Sequence, residues 1–393
     1  MSHLFSINCW NVVHGDATIC HLYPERMGQI IDFGMWCSKV SRINEQRYIV
    51  PAVEEARSLL ARIEHIDIFI THLHEDHYNL LPDVLGSRSW HITYIPAIPR
   101  PVEFQEGVLY CIAYLIAKRV PSYKILEDIL INPGTLGLAR GDQIRFTQDY
   151  FVDIIWPPRE LPERIRPRLV RTARGLYEEV SRRAEEEGIS EEVNIVFWRL
   201  REQLRKLFVE EPRRIYDEER RITSAFHSEI WFTLNEARRA IDKELRRIID
   251  RLRGITDHIS LVMKGYSDNC LNASLFLVAG DTPDYVLNYL WQLERQEFQD
   301  ERYRRVLFLR AAHHGTRFGE YLRRHEVAVA YASWTKHVSR EARLWRYMTM
   351  LQPLLFITAE DVPRFKMNTC RCPLQWPPHI HSLINFSLEL QLF

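Results

Sequence analysis

Three imidazoles and a carboxylate fall within six positions of this chain, in the run Thr71-His72-Leu73-His74-Glu75-Asp76-His77. The run follows the apolar stretch Ile66-Asp67-Ile68-Phe69-Ile70, which reads as a buried strand. The cluster is therefore expected on the loop at that strand's C-terminal end. Ligand sites of α/β folds gather in such places, because strand ends converge and their side chains can point at one spot. Imidazole and carboxylate donors together suit zinc, manganese or iron. The bland alternative is a His-rich surface loop, with His72 and His74 partly buried and merely hydrogen-bonded.

A chain of 393 residues has room for one large domain, or for one domain with a substantial insertion, and a hydrophobic content of 46% supports a buried core. Fifty-two basic and fifty-two acidic residues cancel, so no global positive field argues for nucleic acid, although a local basic surface stays open. The seven cysteines (Cys9, Cys20, Cys37, Cys111, Cys270, Cys370 and Cys372) are scattered and odd in number. That argues against a disulfide framework and for a reducing, cytoplasmic setting. Cys370-Arg371-Cys372 is a weak metal or redox signal, and free cysteine usually behaves as a small hydrophobe. The N-terminal residues show no basic region leading into a long apolar run, and no window is long enough to span a bilayer. The expectation is a soluble protein with no membrane partner.

The pattern predicts strands over Leu4 to Val13, Ala17 to Tyr23 and Gln29 to Asp32, with turns at His14-Gly15-Asp16 and Gly34. A helix over Pro51 to Glu64 follows, with Val53, Ala56, Leu59, Leu60 and Ile63 on one face. This β-β-β-α-β order argues for a mixed α/β sandwich rather than a bundle. Between Pro158 and Asp257 the chain turns dense in Arg and Glu and poor in glycine. Val193, Val196 or Phe197, Leu200, Leu204 and Phe208 repeat at helical spacing, as do Leu234, Ala237, Ile241, Leu245, Ile248 and Leu252. Two or three long amphipathic helices are expected, pairing as an antiparallel arm. Their charge reads either as a solvated face or as a cap or dimerisation arm whose arginines grip a phosphorylated substrate. Strands return at Ile259 to Lys264, Ala273 to Ala279, Arg305 to Ala311, Val327 to Ala332 and Leu354 to Thr358, with Asp281 and His313-His314-Gly315 following two of them.

With these pieces in order, the chain resembles a metallo-β-lactamase-fold hydrolase, and specifically the hydrolase domain of ComEC-like competence proteins. His72-Leu73-His74-Glu75-Asp76-His77 matches that superfamily's HxHxDH signature. Val13-His14-Gly15-Asp16-Ala17 is similar to its opening turn, and Ile31-Asp32-Phe33-Gly34 to its early Asp-x-Gly turn. Trp156-Pro157-Pro158 looks like the strand end before the family's middle segment. Ser260-Leu261-Val262 with Val278-Ala279-Gly280-Asp281 resembles the hairpin that delivers its bridging aspartate. Leu309-Arg310-Ala311-Ala312-His313-His314-Gly315-Thr316 is close to the branch's Leu-Lys-x-x-His-His-Gly-Ser run. The resemblance covers most of residues 1 to 157 and 257 to 360. The family's glycine after Asp-His is replaced here by Tyr78-Asn79, and the helical segment is not a standard part of the fold.

The resemblance implies an α+β fold, a four-layer αββα metallo-β-lactamase sandwich. Its halves would be residues 1–157 and 257–393, split by a helical insertion over 158–256. It implies two divalent metal ions, with zinc expected and manganese the alternative. His72 and His74 would bind the first metal, Asp76 and His77 the second, and Asp281 would bridge them. His258 is a candidate third ligand of the first metal, or simply a satisfied histidine at the insertion's end. One of His313 and His314 would complete the second. Asp32 is expected to brace the His-cluster loop. Two such ions about 3.5–4 Å apart would sharpen a shared water into hydroxide at neutral pH, with Asp76 or Asp281 orienting it. Arg310, Thr316 and Arg317 are candidates to bind substrate oxygens. No Ser/His/Asp nucleophile pattern competes with this. The implied substrate is a phosphodiester, in nucleic acid or a nucleotide, making the chain a phosphodiesterase or nuclease. The same metals would also support hydrolysis of a carbonyl ester, lactone or thioester. A third reading is an interaction protein whose helices dock a partner or a second copy, with a structural or regulatory metal.

Overall fold

In the computed structural model the described residues are 3–12, 15–23, 25–35, 42–118, 134–187, 191–209, 243–268, 270, 272–334, 344–359, 364–370 and 384–386. The first elements are β1 (His3–Trp10), β2 (Ala17–Leu22), β3 (Met27–Phe33), α1 (Arg42–Leu60), β4 (His65–Phe69) and α2 (Leu81–Leu85). Next come β5 (Thr93–Pro96), α3 (Val102–Ala117), β6 (Thr135–Leu138), β7 (Gln143–Arg145) and β8 (Tyr150–Trp156). Three helices follow, α4 (Arg166–Glu186), α5 (Glu191–Phe208) and α6 (Lys243–His258). Then come β9 (Val262–Ser267), β10 (Ser274–Val278), α7 (Asp284–Leu293), β11 (Arg305–Arg310), β12 (Glu326–Ala332), β13 (Leu355–Thr358), β14 (Arg364–Cys370) and β15 (Ile384–Phe386).

These elements form two compact units. The larger comprises Met1–His91, Arg140–Trp156 and Ser260–Phe393, and the smaller Ile92–Ala139 and Pro157–Ile259. In the larger unit one sheet runs β15-β14-β1-β2-β3-β4 and the other β13-β12-β11-β10-β9-β8-β7. Both are mixed: β3 and β4 are parallel beside antiparallel neighbours, and β10 to β13 are parallel while β7 to β10 are antiparallel. The sheets face each other across a ring-filled core. Phe5 of β1 stacks on Phe276 of β10 at 6.2 Å, and Phe365 of β14 on Phe308 of β11 at 5.9 Å. Tyr150 on β8 donates its hydroxyl to Gln29 on β3 at 2.7 Å, satisfying a polar tip that burial would otherwise strand. The strands β10, β11 and β12 read as unbroken apolar runs, as parallel strands covered on both faces do. This is the mixed α/β arrangement with two sheets that the element order predicts.

In the smaller unit, α3 explains the architecture. Phe104, Val108, Leu109, Cys111, Ile112, Ala113, Leu115 and Ile116 are buried over more than half of the circumference of this helix, while Glu103 is exposed and Glu106, Tyr110 and Ala117 are half-buried along the remaining stripe, so most of it must be enclosed. Helices α4, α5 and α6 pack on it. Gly107 permits the closest approach, since a Cβ there would lie 2.7 Å from the Ala173 carbonyl oxygen. The parallel pair β5–β6 belongs to the same unit.

The sequence reading sets the charged segment apart at 158–256. The structure groups residues 157–259 with 92–139, because α4, α5 and α6 supply the apolar cover that α3 requires. The helix expected from Pro51 begins earlier, at Arg42, and runs through that proline. The strand expected from Ile259 starts at Val262. The Leu234, Ala237 and Ile241 repeat, the Val13-His14 turn and most of the Cys370-Arg371-Cys372 run lie outside the described residues. Cys9, Cys20, Cys111 and Cys270 are buried free thiols. Among the described residues no helix is long and apolar enough to cross a membrane.

Two glycines give opposite expectations. A Cβ on Gly34 would sit 2.5 Å from the backbone of Asp76 and Tyr78 and 2.6 Å from the His77 nitrogen, so Gly34→Ala should destabilise by about 1–3 kcal/mol. Gly254, inside α6, meets open space, and Gly254→Ala should stabilise by about 0.5–1 kcal/mol. Urea midpoints of the two variants check this, and a reversed order contradicts it.

Candidate metal centre

The site residues follow the C-terminal ends of parallel strands. The His cluster follows β4, Asp281 follows β10, the His-His turn follows β11, and Ser333 follows β12. Ladders β3–β4 and β10–β11–β12 bring those ends to common edges, which is why distant parts of the chain can converge.

Asp32, at the end of β3, organises the His-cluster loop. Its carboxylate accepts from the Thr71 backbone nitrogen at 2.7 Å, the Thr71 hydroxyl at 2.8 Å and Arg310 at 2.5 Å, and lies 3.0 Å from His77 Nδ1. Asp32 adopts φ 56°, a left-handed conformation that non-glycine residues rarely hold without a reason. The loop is tied down from other sides as well. Asp16 donates its backbone N–H to the Asp76 carbonyl at 3.1 Å, and Asn79 clasps both backbone groups of Met35 at 2.8 Å.

Two sets of donors result. His72 Nε2 lies 3.4 Å from Asp281 Oδ2, and His74 Nδ1 lies 3.8 Å from the same oxygen. Asp281 Oδ1 is 3.6 Å from His77 Nε2. His77, Asp76 and His314 form the second set, their ligand atoms all within 4.8 Å of one another. The Asp281 carboxylate thus turns one oxygen to each set. Its backbone is fixed by the N–H donated to Ser260 Oγ at 2.9 Å, and Gly280 at φ 44° makes the turn.

The His-His turn treats its two imidazoles differently. His314 is buried, with Nδ1 2.8 Å from Ser333 Oγ and Nε2 3.1 Å from Asp76 Oδ2. The Ser333 hydroxyl donates to Asp16 at 2.5 Å, so its oxygen can only accept from His314 Nδ1–H. That leaves Nε2 as the atom His314 offers to the site. His313 keeps 30% of its side chain exposed and puts Nδ1 3.0 Å from Asp281 Oδ2. Both histidines hold left-handed backbone, at φ 47° and 53°. Tyr347 braces the turn, accepting from Ala312 N–H at 2.9 Å and donating to the Arg317 carbonyl at 2.6 Å.

The electrostatics call for a cation. Burial alone would raise the Asp32 carboxyl, but Arg310 and then His77 outweigh it and bring it down to about 2. Burial would lower His77, yet Asp32, Asp281 and Asp76 outweigh it and raise it to about 10. Burial and then the neighbouring His72 hold His74 well below the ordinary histidine value. Asp76 Oδ1, His77 Nε2 and Asp281 Oδ1 are buried without hydrogen-bond partners, which is costly for polar atoms unless something binds them. These buried His and Asp groups could hold a metal ion, and their nitrogen and oxygen donors fit a divalent one.

Of the residues named from sequence, His72, His74, Asp76, His77, Asp281, His313 and His314 converge here. His258 ends α6, in the smaller unit. Arg310 is 1% exposed, its guanidinium held by Asp32 and the Ile31 carbonyl rather than open to a substrate. The Thr316 hydroxyl donates to the His313 carbonyl at 2.7 Å, and half-buried Arg317 donates to the Asp281 carbonyl. Sequence reasoning passed over Asp16 as a turn residue and missed Ser333. The available signal was position, since Asp16 immediately precedes one predicted strand and Ser333 immediately follows another. No family model matches the chain, and no curated protein matches it.

A metal reaching His77 Nε2 must displace the proton that the surrounding carboxylates hold there up to about pH 10. Below that value, affinity should tighten about tenfold per pH unit for each proton displaced. Competition with a chromogenic chelator at several pH values measures this, and a pH-independent Kd contradicts it.

Proposed function

We propose that the larger unit has the metallo-β-lactamase fold and that the chain is a dinuclear metal-dependent hydrolase of phosphodiesters, a phosphodiesterase or nuclease. The observation that carries this reading is the Asp281 carboxylate, with Oδ2 toward His72 and His74 and Oδ1 toward His77. A carboxylate placed between two buried donor sets suits a pair of cations better than one. The phosphodiester preference rests on the ComEC-like His313-His314-Gly315 run.

His72, His74 and Asp281 hold one ion in this reading, and Asp76, His77 and His314 the other, with zinc expected and manganese the alternative. Such ions supply Lewis-acid polarisation of a phosphoryl oxygen and acidify water at neutral pH. The protein's own groups do the positioning. Asp32 fixes the ring of His77 through Nδ1, and Ser333 with Asp16 fixes His314. The Asp76 and Asp281 carboxylates orient the attacking water, which adds to phosphorus as the P–O ester bond breaks. The alcohol leaves with a proton.

Metal content by mass spectrometry, followed by a substrate panel, tests the proposal. Zinc- or manganese-loaded protein should hydrolyse bis-p-nitrophenyl phosphate and at least one of linear DNA, RNA or a cyclic dinucleotide. Asp76→Ala/His77→Ala should lower turnover by at least about 100-fold, since two of the three donors of one set are lost. Turnover of a lactam, lactone or thioester alone would replace the phosphodiester reading with carbonyl hydrolysis. Turnover of nothing, with activity in cells unaffected by that variant, would leave a structural or regulatory metal in an interaction protein.

A further inference from the structure

Helix α4 carries two kinds of arginine. In its C-terminal half they sit among acidic partners. Arg182 pairs with Glu186 at 2.5 Å, Arg183 pairs with Glu244 of α6, and Glu179 takes Arg251 of α6. The stretch from Arg164 to Tyr177 is different, with Arg164, Arg166, Arg168, Arg171 and Arg174 and no acidic residue at all. Arg166 turns back to donate to the Leu161 carbonyl at 3.1 Å. The other four are exposed, and none pairs with an acidic group among the described residues.

Helical geometry places Arg168, Arg171 and Arg174 along one face, opposite the buried Leu169, Ala173, Leu176 and Val180, and Arg164 stands in the turn just before the helix. Six residues of helix put the stripe from Arg168 to Arg174 at about 9 Å long. It occupies the N-terminal end of α4, where the helix dipole is positive and cations are disfavoured. Three like charges on one face, with Arg164 just before it, also repel each other. A merely solvated face would show the interspersed pairs found two turns further on. The whole chain is neutral, with 52 basic and 52 acidic residues, so this excess is local. Every basic residue of α4 is arginine, whose planar fork matches phosphate oxygens in pairs. No aromatic side chain interrupts the stripe, and Tyr177 at its end rests its ring against Tyr110 at 4.7 Å. A stripe of this kind suits a phosphate rail rather than unstacked bases.

We propose that this arginine stripe docks the phosphate backbone of duplex DNA, two or three successive phosphates at a time. The surface lies wholly on the smaller unit. It deepens the phosphodiesterase reading, on which it rests only for taking the bound DNA to be substrate.

Binding of a short fluorescein-labelled DNA duplex to the full-length protein in EDTA, followed by anisotropy across a KCl series, tests it without metal or cleavage. Arg168→Ala/Arg171→Ala/Arg174→Ala should bind at least about tenfold more weakly and should flatten the slope of log affinity against log salt by about 2–3. The three side chains are exposed, so the circular dichroism and melting midpoint should not move. The Arg168→Lys/Arg171→Lys/Arg174→Lys variant should keep the slope. Arg323→Ala/Arg324→Ala, which removes exposed arginines of the larger unit that pair with Glu320, should leave it unchanged. The proposal is overturned if the wild-type protein does not bind, if the alanine triple keeps its slope, if the control loses as much, or if a single strand binds more tightly than the duplex. DNA binding lost in the triple variant, from a metal-loaded protein that cleaves nothing, would sustain the surface and sink the hydrolase. Cleavage with unchanged binding would do the reverse.

Discussion

Asp32 accepts hydrogen bonds from both sheets of the larger unit at a point with no solvent exposure. It belongs to β3 and takes the guanidinium of Arg310 from β11, so this ion pair fastens the two sheets directly beneath the donor cluster. The same carboxylate reaches the Thr71 amide, the Thr71 hydroxyl and His77. Removing one partner from a buried pair typically costs about 3–5 kcal/mol, because the survivor keeps its charge without compensation. Here the survivor would also release the loop that carries His72 to His77. This one contact therefore serves both the joining of the two sheets and the aim of the imidazoles.

That contact leaves a charge imbalance above it. Asp16, Asp32, Asp76 and Asp281 are all buried, against Arg310, the single buried guanidinium among the described residues. His77 answers by holding a proton far above the ordinary histidine range, and burial of Asp76 and Asp281 is offset by neighbouring histidines that favour their charged forms. A proton on an imidazole is the least that would balance such a pocket. A divalent ion would balance it more fully and would also satisfy the buried atoms that lack hydrogen-bond partners.

Much of this was legible in the sequence because the signals are local. The strand before His72, the glycine-aspartate turn at Asp281 and the His-His-Gly turn each declare themselves within ten residues. The order of strands likewise announced two sheets. What stayed hidden depends on tertiary company. Nothing local in Val102 to Ala117 tells a buried strand-flanking helix from one covered by the charged segment, since only packing reveals that α4, α5 and α6 lie on α3. Arg310 reads as a candidate phosphate ligand because a strand arginine can face either way, and the partner that turns it inward lies 278 positions away. Asp16 and Ser333, 317 positions apart, meet only after both sheets are formed. Pro51 looked like a helix start because proline favours the first turn, yet α1 runs through it.

The pairing of β1 with β14 has a consequence for how the chain comes to be folded. Asn8 and Arg364, hydrogen-bonded across that ladder at 3.2 Å, stand 356 positions apart. During synthesis β1 can join β2 early, but its other edge has no companion until the chain has been extended by those 356 positions. An apolar strand with an open edge invites pairing with the wrong neighbour, and ladders closed over such separations form slowly. Assembly of the larger unit is thus a late event on the ribosome, and its open seam is where crowding would first divert the nascent chain toward aggregation.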